Sequence, residues 1–453
     1  MTMDLNQLKQ VVFEKGRALG FAEMEIYYQA DRASTVRIFK GDIDAFNIVE
    51  RAGVSFRGEY QGTMGTAFTE KLDEESIVRM LQAAKENAEV TQSEEKAELF
   101  AGSEQYQEVR ECSDELYNTD AATLIQTALE MEAAGLAADP RIELLNSCSV
   151  VNTNSEVMIV NTKGLDCSTA STMAVCQVSA LAKDGDEVAT AYDNAYSVTS
   201  IADLDVKAFG ERVGRDAAAK LGAQTIESDN YEIIFRNNAI ATLLHTYSSI
   251  FSGSNADKGL SVLQGRLGEA VAGSNITMID DAQFPGAPGN TPFDSEGVAT
   301  GRTEVIKDGK LVSYLHNLKS AKKAGVASTG NAFKAGYRGD LTTLPNNLFI
   351  EPGSQSLDEL IAGTKRGIMI IEMQGLHAGT DQISGDFSLA ALGHYIEDGK
   401  IVRPVNQITV SGNFIKMLQD VEAVGSDLRF QGTGRGACGA PSLKIKSLTI
   451  SGK

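Results

Sequence analysis

The chain has 453 residues, of which 42% are apolar and 23% charged, and its formal net charge is −20. Those proportions are ordinary for a soluble globular protein of about two to four domains. The acid excess repels phosphate backbones and anionic membrane surfaces, whose affinity is built from Lys and Arg, so small molecules and peptides are the easier partners.

No run reaches the roughly 18 consecutive apolar residues of a membrane span. The opening residues lack the basic start, apolar block and cleavage site of a signal peptide. Cys112, Cys148, Cys167, Cys176 and Cys438 are odd in number, widely spaced and without a C-x-x-C, which argues for free thiols in a reducing cytosol. A cytoplasmic location is therefore expected.

In chain order, Leu5, Leu8, Val12 and Leu19 trace an amphipathic helix. Short alternating runs follow, broken at Lys40-Gly41-Asp42 and Arg57-Gly58-Glu59, and read as a meander of strands with turns at those tripeptides. Asp73-Glu74-Glu75 then opens a helix carrying Ile77, Met80, Leu81, Ala84 and Ala88, its acids facing the positive end of the dipole. These elements make a first α+β unit over 1–95. Residues 91–119 are polar and acidic and read as a solvated connector. The connector and a middle α+β unit fill 96–225: a helix over 121–137, several strands, and a helix over 201–221. The third unit, 226–453, is β-rich. Asp308-Gly309 and Asp398-Gly399 each stand between alternating apolar runs, and Asp-Gly is a strong hairpin signal because both turn positions need positive φ. Helices are expected near 237–251 and 413–420, and the chain closes on a period-two strand, "PSLKIKSLTISG". The expected fold is α+β: two α+β lobes followed by a β-rich C-terminal domain.

The helix "LLHTYSSIF" carries the most chemistry. Ile240, Leu243, Leu244, Tyr247 and Phe251 form an apolar stripe, and His245 lies off it. His245 is then either a partly exposed histidine without a special role or one member of a metal site. Catalytic zinc takes three protein ligands and an open position, and a zinc peptidase adds a carboxylate base. The four histidines, His245, His316, His377 and His394, stand at least 17 residues apart, so no local pair exists. "GTGRGACGAP" matches G-x-G-x-x-G at Gly434, Gly436 and Gly439, but a proline and a strand follow where a dinucleotide site needs a helix. The glycines read as a tight loop holding Cys438, which is a small buried hydrophobe, a soft ligand or a free thiol. Asp280-Asp281 and Asp294-Ser295-Glu296 sit in Gly/Pro-rich stretches and read as solvated loops, with a cation or peptide amine as the alternative.

Several ordered segments carry a family resemblance. "GDFSLAALGHYIEDGKIVRPVNQITVSGNFIKMLQDVEAVGSDL" (385–428), "GKLVSYLHNLKSAKKAGVASTGNAF" (309–333), "CGAPSLKI", "NTKGL" (161–165) and "GVSFRGEYQGTMGTAFT" (53–69) together resemble the TldD/PmbA family over nearly the whole chain. The resemblance implies a cytosolic protein linked to proteolysis of small, unfolded or leader peptides. It also implies pairing of two chain types. The TldD-type chain holds zinc with an H-E-x-x-x-H helix and a C-terminal cysteine. The PmbA type, also called TldE, lacks the motif and helps to enclose a chamber. Carried over, the first histidine falls on His245, the glutamate on Thr246, the second histidine on Ile250, and the cysteine on Cys438. Thr246 is no carboxylate base and Ile250 no ligand. This chain therefore resembles the PmbA type: no catalytic residue, metal or cofactor is expected in it, and zinc is expected in a TldD-type partner. Three readings follow: the non-catalytic subunit of a metallopeptidase heterodimer, a homodimeric peptide-binding protein without proteolysis, or an enzyme of another chemistry that reuses the chamber.

Overall fold

The computed structural model describes residues 3–91, 98–109 and 112–453. The fold is α+β with a β-rich C-terminal region. Helix α1 (Leu5–Ala18) starts on a capping box between Asp4 and Gln7. Strands β1 (Met24–Phe39), β2 (Asp42–Tyr60) and β3 (Thr63–Thr69) follow, then α2 (Glu74–Val90), whose first turn is capped by Asp73. A short helix α3 (Asp114–Tyr117) leads to α4 (Ala121–Ala137), strands β4 (Ile142–Asn161), β5 (Asp166–Asp184) and β6 (Glu187–Ser197), and helix α5 (Val206–Ala218). All six strands join one sheet in the order β3-β2-β1-β4-β5-β6, antiparallel throughout. The β1–β4 pairing makes the first two units share that sheet. α1 and α2 bury Leu8, Val12, Ile77 and Leu81 at one end of it, and α4 and α5 bury Leu124, Met131, Phe209 and Val213 at the other.

The expected turn at Lys40-Gly41 is present, with φ of 55° and 78°. The turn expected at Arg57-Gly58-Glu59 is not. Those residues lie inside β2, and the chain reverses at Gln61-Gly62, which take the positive φ values. Gly58 is needed for a different reason, because a Cβ there would meet the rings of Phe56 and Phe21 within 2.7 Å. The expected connector falls partly on residues 92–97 and 110–111, which lie outside the described residues. Its described part is anchored: Leu99 and Leu116 are buried, and the Tyr106 hydroxyl donates to the Gly297 carbonyl at 2.8 Å.

The third unit opens with β7 (Asp229–Phe235) and α6 (Asn237–Tyr247). β7 lies between the strands Arg366–Gln374 and Leu443–Ser451. The sheet continues through 386–397 to 400–413, whose end pairs again with 443–451, so these five strands close into a ring. A second six-stranded sheet places the strand Asn347–Ile350 between Met278–Asp281 and Ala437–Ala440. Both Asp-Gly hairpins are as the sequence predicts: Asp308 and Gly309 have φ of 46° and 79°, Asp398 and Gly399 of 47° and 75°. α6 packs into the apolar core built by both sheets. Among the described residues no helix is long and apolar enough to cross a membrane.

Candidate functional site

The helix expected to carry the motif is held firmly. The Ser442 hydroxyl accepts from Asn237 N at 3.0 Å, Asn237 Nδ2 donates to the Asp427 carbonyl at 2.9 Å, and Asn238 Nδ2 to the Ile371 carbonyl at 2.9 Å. Tyr247 stacks on Phe414 with centroids 4.4 Å apart and donates its hydroxyl to the Asp386 carbonyl at 2.7 Å. α6 then tightens into a 3₁₀ turn over Ser248–Phe251.

His245 is exposed, as its place off the apolar stripe predicts, and desolvation by the surrounding protein lowers its pKa below the ordinary value. The Thr246 hydroxyl is turned back on its own helix and donates to the Thr242 carbonyl at 3.0 Å. Ile250 is fully buried in the core between the sheets. Cys438 is not in a loop. It lies in the strand Ala437–Ala440, paired with Leu348 on one side and Gln431 on the other, and has no exposed surface. The glycine loop precedes it, with positive φ at Gly432, Gly434 and Gly436. Burial pushes the Cys438 thiol up, the Asp280 charge adds to this, and the neighbouring Ser248 hydroxyl acts against it. The fold thus brings the end of the motif helix against the cysteine strand.

These four side chains do not fit a zinc ion. One imidazole, a hydroxyl spent on its own helix, an aliphatic side chain and a thiol held protonated by burial fall short of three ligands and a base. Among the described residues, no group of three or more His, Cys, Asp or Glu is placed to hold a metal. The other histidines are dispersed. His316 is buried with its ring 3.1 Å from the Ser320 hydroxyl, His394 lies on the strand 386–397, and His377 is exposed.

The acidic stretches expected to be solvated loops are largely interior. Asp280 is 1% exposed and accepts from Asn331 Nδ2 at 2.7 Å and Asn346 N at 2.8 Å. Asp294, equally buried, accepts from the backbone N–H groups of Glu296, Val298 and Ala332 at 2.9–3.0 Å. Glu296 accepts from Leu318 N at 2.9 Å, at the start of a short helix. Burial raises the pKa of all three acids, Asp280 to about 6 and Glu296 to about 7, with the nearby Asp294 charge adding to the latter. Asp280 lies on the strand Met278–Asp281 and not in a loop; for Asp294 and Glu296 the reason is the loop backbone. Gly/Pro-rich segments folded into an interior leave N–H groups without a ladder, and carboxylates satisfy them. The signal in sequence was the neighbouring "NN" of 346–347 and Asn331, whose amides complete the network. Next to it, Glu25 on β1 is 4% exposed and accepts from Arg57 Nε on β2 at 2.7 Å.

Comparison with known proteins bears on the whole chain. Residues 24–88, 114–221 and 228–452 match the models for domain 1, the central domain and the C-terminal domain of the PmbA/TldA metallopeptidases. The metalloprotease PmbA of Escherichia coli O157:H7 is 28% identical over 411 residues, 85% of this chain and 84% of that protein. A Thermotoga maritima protein whose crystal structure is described as that of a candidate modulator of DNA gyrase superposes with a TM-score of 0.90 at 29% identity, covering 99% of this chain and all of that one. TldE of Thermococcus kodakarensis shares the fold at a TM-score of 0.91, with 22% identity over 98% of this chain and all of that one.

Proposed function

We propose that this chain, which belongs to the PmbA/TldD metallopeptidase family, is a non-catalytic subunit of a cytosolic peptidase pair acting on small or unfolded peptides. The observation that carries the reading is the fate of the motif positions on a helix that keeps its place. Thr246 is back-bonded to Thr242, and Ile250 is core. Such a helix supplies structure and no activated water. In this reading zinc and its carboxylate base reside in a TldD-type partner, and this chain holds no metal.

What remains for the chain is wall and groove. β3 pairs with β2 only from Val54 to Tyr60, so the outer stretch of β2 over 42–53 has strand β1 on one side and, among the described residues, no strand on the other. A free edge of that length offers backbone groups to an extended chain, which supports both peptide binding and association with a partner. A wall of this kind admits extended chains and excludes folded ones.

The test is direct. The purified chain should contain far less than one zinc per chain by metal analysis and should not cleave an unstructured peptide. Adding a chain with the complete H-E-x-x-x-H motif should produce chelator-sensitive cleavage. Stoichiometric zinc together with chelator-sensitive cleavage by this chain alone would overturn the proposal.

A further inference from the structure

A cavity of about 550 Å³ lies between the first sheet and the C-terminal domain, apart from the motif helix. β1 and β2 form one wall, and the segment 334–341 of the C-terminal domain forms the opposite one. Three cations line it, and two of them, Lys334 and Arg57, are not fully satisfied. The partners of Lys334 Nζ are uncharged: it donates to the Ser55 hydroxyl at 2.5 Å and lies 4.9 Å over the Tyr27 ring. Arg57 spends its Nε on Glu25 but keeps Nη2 buried with no hydrogen-bond partner. A buried donor left unmade is costly, so an acceptor that reaches it gains more than an exposed contact would. Burial and the Arg57 charge lower the pKa of Lys334 to about 8, outweighing the opposing charges of Glu25 and Asp340.

The charge count narrows the ligand. Lys334 and Arg57 contribute two positive charges, set against Glu25, already engaged with Arg57, and Asp340, which lines the same cavity and whose charge acts on Lys334. Arg338 at the rim is neutralised by Glu70. More than one negative charge on a ligand is therefore disfavoured, and a single anionic group can use the donors that Lys334 and Arg57 leave unmade. A dianionic phosphate would also be opposed by the acids Asp294 and Glu296, whose charges act on Arg57. Phe68 and Tyr337 supply apolar surface beside the cations. We infer that this cavity is a binding site for a monocarboxylate carrying an apolar or aromatic group, with the carboxylate bridging Lys334 and Arg57. The inference does not depend on the subunit role proposed above. Two sources share the required chemistry, a small organic acid and the free C-terminus of a short peptide.

Isothermal titration of the full chain with 3-phenylpropionate, with the dipeptide Ala-Phe and with Ala-Phe amide tests it. At least one free acid should bind, and the amide should bind at least roughly tenfold more weakly than the dipeptide acid wherever that acid binds. Binding of the dipeptide alone assigns a peptide C-terminus, and binding of 3-phenylpropionate assigns a small acid. Lys334→Met should weaken the acid at least tenfold without changing the thermal unfolding temperature, because removing this ammonium orphans no carboxylate. Should that variant fold poorly, the acid and amide comparison on the native chain still decides. The inference is overturned if neither acid binds below roughly 10 mM, if the amide matches its acid, or if a folded Lys334→Met chain binds as the native one does.

Discussion

At His245 the imidazole is held at the end of a rigid helix, open to solvent, with its pKa lowered and no ligand partner on its own element. A group in that position can touch a partner or a peptide without reacting. His245→Ala should therefore leave kcat/KM of a reconstituted pair within about threefold of the native value, since no interaction unique to the transition state is removed. A fall of several orders of magnitude would give His245 a catalytic role. The buried acids behave differently. Glu296 has its folded pKa raised from 4.5 to about 7 by burial and by Asp294. The protonated form is favoured in the folded chain, so its contribution is fully present below pH 4.5 and is lost as pH rises toward 7. Glu296→Gln keeps an acceptor for Leu318 N and removes the charge. It should be near neutral at pH 4.5 and stabilise the chain at pH 8 by up to about 3 kcal/mol, read as a pH-dependent gain in denaturant midpoint. His245 was legible in sequence because a side chain off an apolar stripe is a local fact. The acids were not, because Gly/Pro-rich spacing reports a loop and is silent on whether that loop is folded inward.

Among the elements, α4 and α5 cross through glycine. A Cβ on Gly210 would stand 2.4 Å from the Met131 carbonyl oxygen, and one on Gly214 would stand 2.6 Å from that of Gly135. Backbone oxygens cannot rotate away, so the helices would have to part. In an isolated helix Gly→Ala gains about 1 kcal/mol of propensity, whereas overpacking a close contact costs about 1–3 kcal/mol. Because the obstruction is backbone, the cost should win. Gly210→Ala is expected to destabilise by about 1–2 kcal/mol, measured as a lower urea midpoint at unchanged slope; a rise in midpoint would refute the crossing geometry. Periodicity located both helices, and Asp73-Glu74-Glu75 marked where α2 begins. Their glycines carried no such message, since a helix glycine reads as a penalty until the neighbouring backbone is known. The same contrast holds in the strands. Asp308-Gly309 and Asp398-Gly399 announce their turns because both residues need positive φ, whereas Gly58 mimics a turn and instead clears space for two rings.

For the whole molecule, the sharing of one sheet by the first two units was invisible in sequence, because β1 and β4 pair across more than a hundred intervening residues. Periodicity and turn signals already read the fold class as α+β, and the family resemblance tied the three units together, since several ordered motifs span all of them. One consequence of that sheet is the arm of β2 that extends beyond β3. Ile43, Phe46 and Ile48 on it are 52%, 41% and 49% exposed, on a long strand whose outer edge is unpaired among the described residues. Isolated chains seldom leave such an edge both apolar and open, because it recruits other strands. If the arm meets the partner chain, a charge placed there must be desolvated or must hold the two chains apart, and either raises the dissociation constant. The double change Phe46→Asp and Ile48→Asp should weaken association with a TldD-type chain at least roughly tenfold, measured by co-purification and analytical ultracentrifugation. Because these side chains make little of the core, the thermal unfolding of the isolated chain should stay unchanged. Undiminished association would place the partner on another face, and a large loss of stability would show that the arm is bound to its own fold.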